Sequence, residues 1–217
     1  MSFNSRTIAG LLLTASAGFV DVIAFLQLGG FFASFMSGNT TQLGIGLMGH
    51  PNSTGQVMVW FPAALIILFF TGAFLGTLMM SVFVHNGNIF VLMGVLILIG
   101  VVIALKQADM VYLQPTLLLA AAMGMQNASL QQRGTAKLGA TYVTGTLFSC
   151  AADLARAITG EVPKGRWLEH FYVWLALMLG AISGGFADFW LGLMALSIPF
   201  LIISAVLIFR LLKLFKD

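Results

Sequence analysis

Residues 31–49 read FFASFMSGNTTQLGIGLMG, an apolar stretch interrupted near its middle by Ser37-Gly38-Asn39-Thr40-Thr41. A helix that crosses a hydrocarbon core of about 30 Å needs about 20 predominantly apolar residues at about 1.5 Å each. This stretch does not supply them without a break. Extended, residues 31–37 reach about 23 Å, and a helix over 39–49 returns about 16 Å, so each limb ends near the midplane. Phe31, Phe32 and Phe35 precede the break, and Ser, Asn and Thr, the preferred helix N-cap types, occupy it. Segment 138–158 repeats the pattern, with Tyr142-Val143 leading into Thr144-Gly145-Thr146. Each segment reads as a re-entrant, broken helix or as a continuous helix whose small residues pack against a neighbour.

The surrounding sequence makes the whole chain a membrane protein. Of 217 residues, 59% are hydrophobic and 8% charged, with a mean hydropathy of +1.01; a soluble domain carries roughly 25% charged residues. Six segments are apolar enough to cross: 8–27, 60–84, 89–106, 112–131, 168–188 and 190–209, with breaks at His85-Asn86-Gly87-Asn88 and around Asp188. Ala15-Ser16-Ala17 mimics a signal-peptide cleavage site, but the apolar run continues to Phe25 and reads as a first span. Cys150 is the single cysteine, which excludes an internal disulfide and a cysteine metal cluster. The net charge of +3 sits mainly in 133–166 and at Arg210, Lys213 and Lys216, as in cytoplasmic loops rather than a nucleic-acid patch.

An offset of 106 to 108 residues aligns the two halves. Gly18 falls near Gly124, Asp21 on Asn127, the 35–39 break on 142–146, and Gly72 and Gly76 on Gly180 and Gly184. Stretches 27–32 and 50–59 lack Lys and Arg, whereas their counterparts carry Arg133, Lys137, Arg156, Lys164 and Arg166. Equivalent loops of unequal charge fit opposite placement under the positive-inside rule. The expected architecture is therefore an all-α polytopic protein, one membrane domain over 1–217. Repeats 7–106 and 112–213 are inverted, each with three transmembrane helices and one broken segment. Eight full spans, 4+4, are the alternative.

Gly18-Phe19-Val20-Asp21, Phe35-Met36-Ser37-Gly38-Asn39-Thr40, Gly124-Met125-Gln126-Asn127-Ala128 and Thr141-Tyr142-Val143-Thr144-Gly145-Thr146 together resemble the YoaK-like family of bacterial inner-membrane proteins, over almost the whole chain. The resemblance implies a multi-span fold in the bacterial cytoplasmic membrane. It supplies no substrate and no catalytic residue, because the family is one of unknown function.

Asp21 is the only formally charged residue between Arg6 and Lys106. At membrane depth an unneutralised carboxylate costs about 2.5–3.5 kcal/mol on insertion scales, so it faces protein or water. It is the candidate for a coupling ion or proton, or a structural anchor for the re-entrant backbone. Helices starting near Asn39 and Thr146 would aim unpaired N–H groups at a central cavity. The candidate substrate-binding set is Ser37, Gly38, Asn39, Thr40, Gln126, Asn127, Thr144, Gly145 and Thr146, with Arg133 at the cavity mouth or marking topology. Asp153 and Arg156 are spaced to pair. His50, His85 and His170 share no ligand spacing, and no hydrolase, metalloprotease or P-loop motif occurs, so no enzyme, cofactor or metal site is expected. The expected function is a secondary transporter or permease for a small polar solute, anions included, between the broken helices. A noncatalytic scaffold and a channel are the alternatives. The expected surroundings are the lipid bilayer and the solute, with homo-oligomers admitted and both termini cytoplasmic.

Overall fold

In the computed structural model, residues 5–52, 55–108, 114–130 and 143–214 are described. They form eight α-helices: α1 Ser5–Gln27, α2 Met36–Leu47, α3 Trp60–Val82, α4 Gly87–Gln107, α5 Leu118–Ser129, α6 Val143–Thr159, α7 Trp167–Leu191 and α8 Ser197–Leu214. No strand occurs among these residues. Four stretches are long and apolar enough to cross a membrane: Thr7–Gln27, Trp60–Val82, Gly87–Gln107 and Trp167–Leu212. The last covers α7 and most of α8, divided by a 3₁₀ turn, Gly192–Leu196, whose first residue has φ +52.

Two sequence expectations shift. Among the described residues of the span placed at 112–131, the helix runs from a 3₁₀ turn at Pro115 to Ser129, because Gln114 takes a left-handed φ of +46 and proline opens the helix. The break expected around Asp188 lies instead at 192–196. Gln27 Nε2 donates to Asp188 Oδ1 at 3.0 Å, which lets the carboxylate sit within α7.

The first interrupted segment is broken. Residues 31–35 are not helical, and the 12 residues of α2 rise about 18 Å, too short to cross. Phe31, four residues beyond α1, packs its ring 5.2 Å from that of Phe61 in the first turn of α3. Four extended residues reach about 13 Å at most, so the end of α1 and the start of α3 lie on one side of the molecule. α2 starts at Met36, three residues before the expected Asn39, and no side chain caps it. The second interrupted segment is helical from Val143, before the expected Thr146; its lead-in lies outside the described residues.

Between helices in lipid, close packing replaces the hydrophobic effect as the source of cohesion, and small residues permit it. α1 packs chiefly on α7, and α3 chiefly on α5. A methyl group at Gly180 would strike the Ala15 carbonyl and one at Gly184 the Phe19 backbone. Likewise Gly72 meets the Ala121 carbonyl and Gly76 the backbone of Met125. Residue numbers rise together in both pairs, so both run parallel. α2 rests on α3, α6 on α7, α4 on α5 and α8, and α8 on α1. α5 is buried along nearly its whole length, whereas α3 turns Ile67, Phe70, Phe74 and Leu78 outward at helical spacing.

Candidate functional site

A cavity of about 420 Å³ opens where α1, the loop over 31–35, the start of α6 and α7 meet. Its walls are largely apolar, with Phe25, Phe32, Phe35 and Leu177 among them. Among the described residues, Asp21 from α1 and Thr144 from α6 provide the polar side chains. The two interrupted segments thus contribute to one space, the first through Phe32 and Phe35, the second through Val143 and Thr144.

Asp21 is tied to the loop. Its Oδ1 accepts from the Ser34 N–H at 2.6 Å and its Oδ2 from Ser34 Oγ at 2.5 Å. The backbones of Ala33 and Phe35 also donate toward this carboxylate, and Asp21 lines the cavity. Among the described residues no Lys, Arg or His forms an ion pair with it. Asn39 holds the same loop from the other end. Its Nδ2 donates to the Phe32 carbonyl at 2.7 Å, and its Oδ1 accepts from the Phe32 N–H at 3.0 Å. Fully buried, Asn39 is a backbone clasp with both ends of its amide occupied.

The α2 N terminus differs from the anion cradle expected of it. The Gly38 and Asn39 N–H groups both donate to the Phe35 carbonyl and the Met36 N–H to that of Ser34. Ser37 and Thr40 are exposed and do not line the cavity, and Thr40 Oγ1 donates to the Met36 carbonyl at 2.8 Å. Gly38 lies under the Phe35 ring. Gln126 is buried and its Nε2 donates to the Leu13 carbonyl at 2.8 Å, linking α5 to α1. Gln126 Oε1 and Asn127 Nδ2 are buried with no hydrogen-bond partner among the described residues. Neither residue lines the cavity, and neither do Gly145, which is exposed, or Thr146, which is buried on α6. Arg133 lies outside the described residues.

Sequence reasoning missed Ser34 and the Phe25, Phe32 and Phe35 wall. The ring centroids of Phe25 and Phe32 are 5.0 Å apart, and those of Phe32 and Phe35 5.2 Å. It also underestimated Asp153, which is buried on α6. Arg166 Nε approaches Asp153 Oδ2 to 3.0 Å and His170 Nε2 to 3.4 Å, while the expected partner, Arg156 Nη1, is 3.6 Å from Oδ1. This cluster fastens α6 to the start of α7.

Residues 9–209 match the family described as protein of unknown function (DUF1275). The chain belongs to the DUF1275 family. Among similar proteins, UPF0700 transmembrane protein RA0705 of Rhizobium meliloti (strain 1021) is 30% identical over 201 residues, covering 89% of this chain and 83% of that one. UPF0700 transmembrane protein YoaK of Bacillus subtilis (strain 168) is 26% identical over 164 residues, covering 73% and 71%. The DUF1275 match and these relatives agree with the YoaK-like resemblance and with a bacterial membrane protein. No solved structure matches the chain.

Proposed function

We propose that this DUF1275 chain is a secondary transporter or permease of the bacterial inner membrane that carries a small solute through the Asp21–Thr144 cavity. The observation behind this reading is the meeting of both interrupted segments at one cavity beside the Asp21 carboxylate. Discontinuous helices at a midplane site are the common construction of secondary transporters. Asp21 is the group that a proton or cation neutralises during the cycle. The reading is of a noncatalytic carrier without a cofactor, in lipid, with both termini cytoplasmic.

The helix pairings support an inverted duplication of α1–α4 and α5–α8. Exchanging the halves turns the α1–α7 pairing into α5–α3, α2–α3 into α6–α7, and α4–α5 into α8–α1. The glycine contacts follow: those of α1 and α5 differ by 106 in number and those of α3 and α7 by 108. Alternating access then arises from movement of one bundle against the other.

The test is flux into proteoliposomes holding the purified chain, with radiolabelled solutes of negative, zero and positive charge. Saturable uptake with counterflow is expected for at least one solute. It should be lost in Thr144→Trp, which fills the cavity from an exposed position. Non-saturating flux without counterflow identifies a channel, and no flux in any charge class removes the transport reading.

A further inference from the structure

The cavity's chemistry narrows the solute class. An anion would meet the Asp21 carboxylate in an apolar space, and among the described residues no Lys, Arg or His lines the walls to offset it. A small polar neutral solute would exchange water for phenyl and aliphatic groups and leave its own hydrogen-bonding groups unpaired. A hard metal cation takes about six oxygen ligands, whereas among the described residues the lining side chains offering oxygen are Asp21 and Thr144. What remains is a cation with an apolar body. Phe25, Phe32 and Phe35 give that body a wall, and ring faces attract a cation within about 6 Å of their centroids. The Asp21 contacts with Ser34 come from neutral donors, which orient the carboxylate and leave its charge without a counter-ion. A volume of about 420 Å³ is within the range of small-molecule sites.

We propose that the cavity binds an amphiphilic organic ammonium ion, its charge beside Asp21 and its apolar body against Phe25, Phe32 and Phe35. This rests on the transporter reading for the choice of cavity and adds the ligand class.

The probe is radiolabelled benzyltrimethylammonium, titrated on the full-length protein in lipid nanodiscs. Its competitors are neopentylbenzene, which has the same shape with carbon in place of the charged nitrogen, and benzenesulfonate. Saturable binding is expected, displaced by unlabelled ammonium and by neither competitor. Asp21→Asn should weaken it about tenfold or more. Phe35→Leu, at a half-exposed position, keeps apolar volume and removes the ring; about a threefold to tenfold loss is expected. Absence of saturable binding up to about 10 mM, or equal displacement by neopentylbenzene, overturns the inference, the latter by marking an apolar groove for lipid chains. Uptake separates the two readings. If another solute is carried and Thr144→Trp blocks it while the ammonium does not bind, the ligand class falls and the transporter stands. If the ammonium binds and nothing crosses, the ligand class stands and the transporter falls.

Discussion

Asp21 and Asn39 show how single side chains hold an irregular backbone inside a helical protein. Phe31, Ala33 and Ser34 are buried and Phe32 is half-buried, so the backbone N–H and C=O groups of this loop need protein partners. Asn39 supplies both for Phe32, and Asp21 accepts from Ser34. Asn39→Ala removes both Asn39 contacts at once and should cost about 2–4 kcal/mol, since each unmade bond carries a desolvation penalty. Thermal unfolding of the purified protein in detergent measures it; a stability equal to wild type would falsify the clasp. That Asp21 needed a partner was legible from its isolation in the sequence. The partner's identity was not. Ser37 and Asn39 attract attention as N-cap residue types, but α2 starts at Met36 without a side-chain cap, so their geometry follows a loop path that residue type does not encode.

At the level of elements, the glycine spacing at 72 and 76 and at 180 and 184 pointed to packing without naming the partner helices. The partners emerge only from three-dimensional pairing, α3 with α5 and α7 with α1. Because a methyl group at Gly72 or Gly180 meets a backbone carbonyl, Ala at either position should destabilise by about 1–3 kcal/mol, and by similar amounts at both. Gly145 faces open space on α6, so Gly145→Ala should lie between neutral and about 1 kcal/mol stabilising. A melting-temperature series over the three variants checks the order. For the α6–α7 junction, sequence spacing favoured Arg156 as the partner of Asp153, since adjacent turns are visible in sequence and a neighbouring helix is not. The shorter approach is from Arg166. Arg166→Ala should therefore lower stability more than Arg156→Ala, whose longer 3.6 Å approach comes from the more exposed arginine and has a typical worth of about 0–1 kcal/mol. Equal losses in the same assay would shift the anchoring role away from Arg166.

For the whole molecule, the choice between six crossings with two return segments and eight full spans turns on which side each loop occupies. Hydropathy alone left both open, because a run such as 31–49 is apolar in either arrangement. Two local facts bear on it: α2 rises only about 18 Å, and Phe31 meets Phe61. In an eight-span chain the end of α1 and the start of α3 would lie on opposite faces, about 30 Å apart, and those rings could not touch. Six crossings place Gln56 on the periplasmic side and Asn86 on the cytoplasmic side; eight crossings reverse both. Single cysteines at these exposed positions, in a Cys150→Ala background, report the difference when intact cells are treated with a membrane-impermeant maleimide. Gln56→Cys should label in intact cells and Asn86→Cys only after permeabilisation, with Lys164→Cys behaving like Asn86→Cys because both arrangements place it inside. If Asn86→Cys labels in intact cells and Gln56→Cys does not, the return-segment topology is wrong. The inverted duplication, and the cavity's place between two return segments, would fall with it.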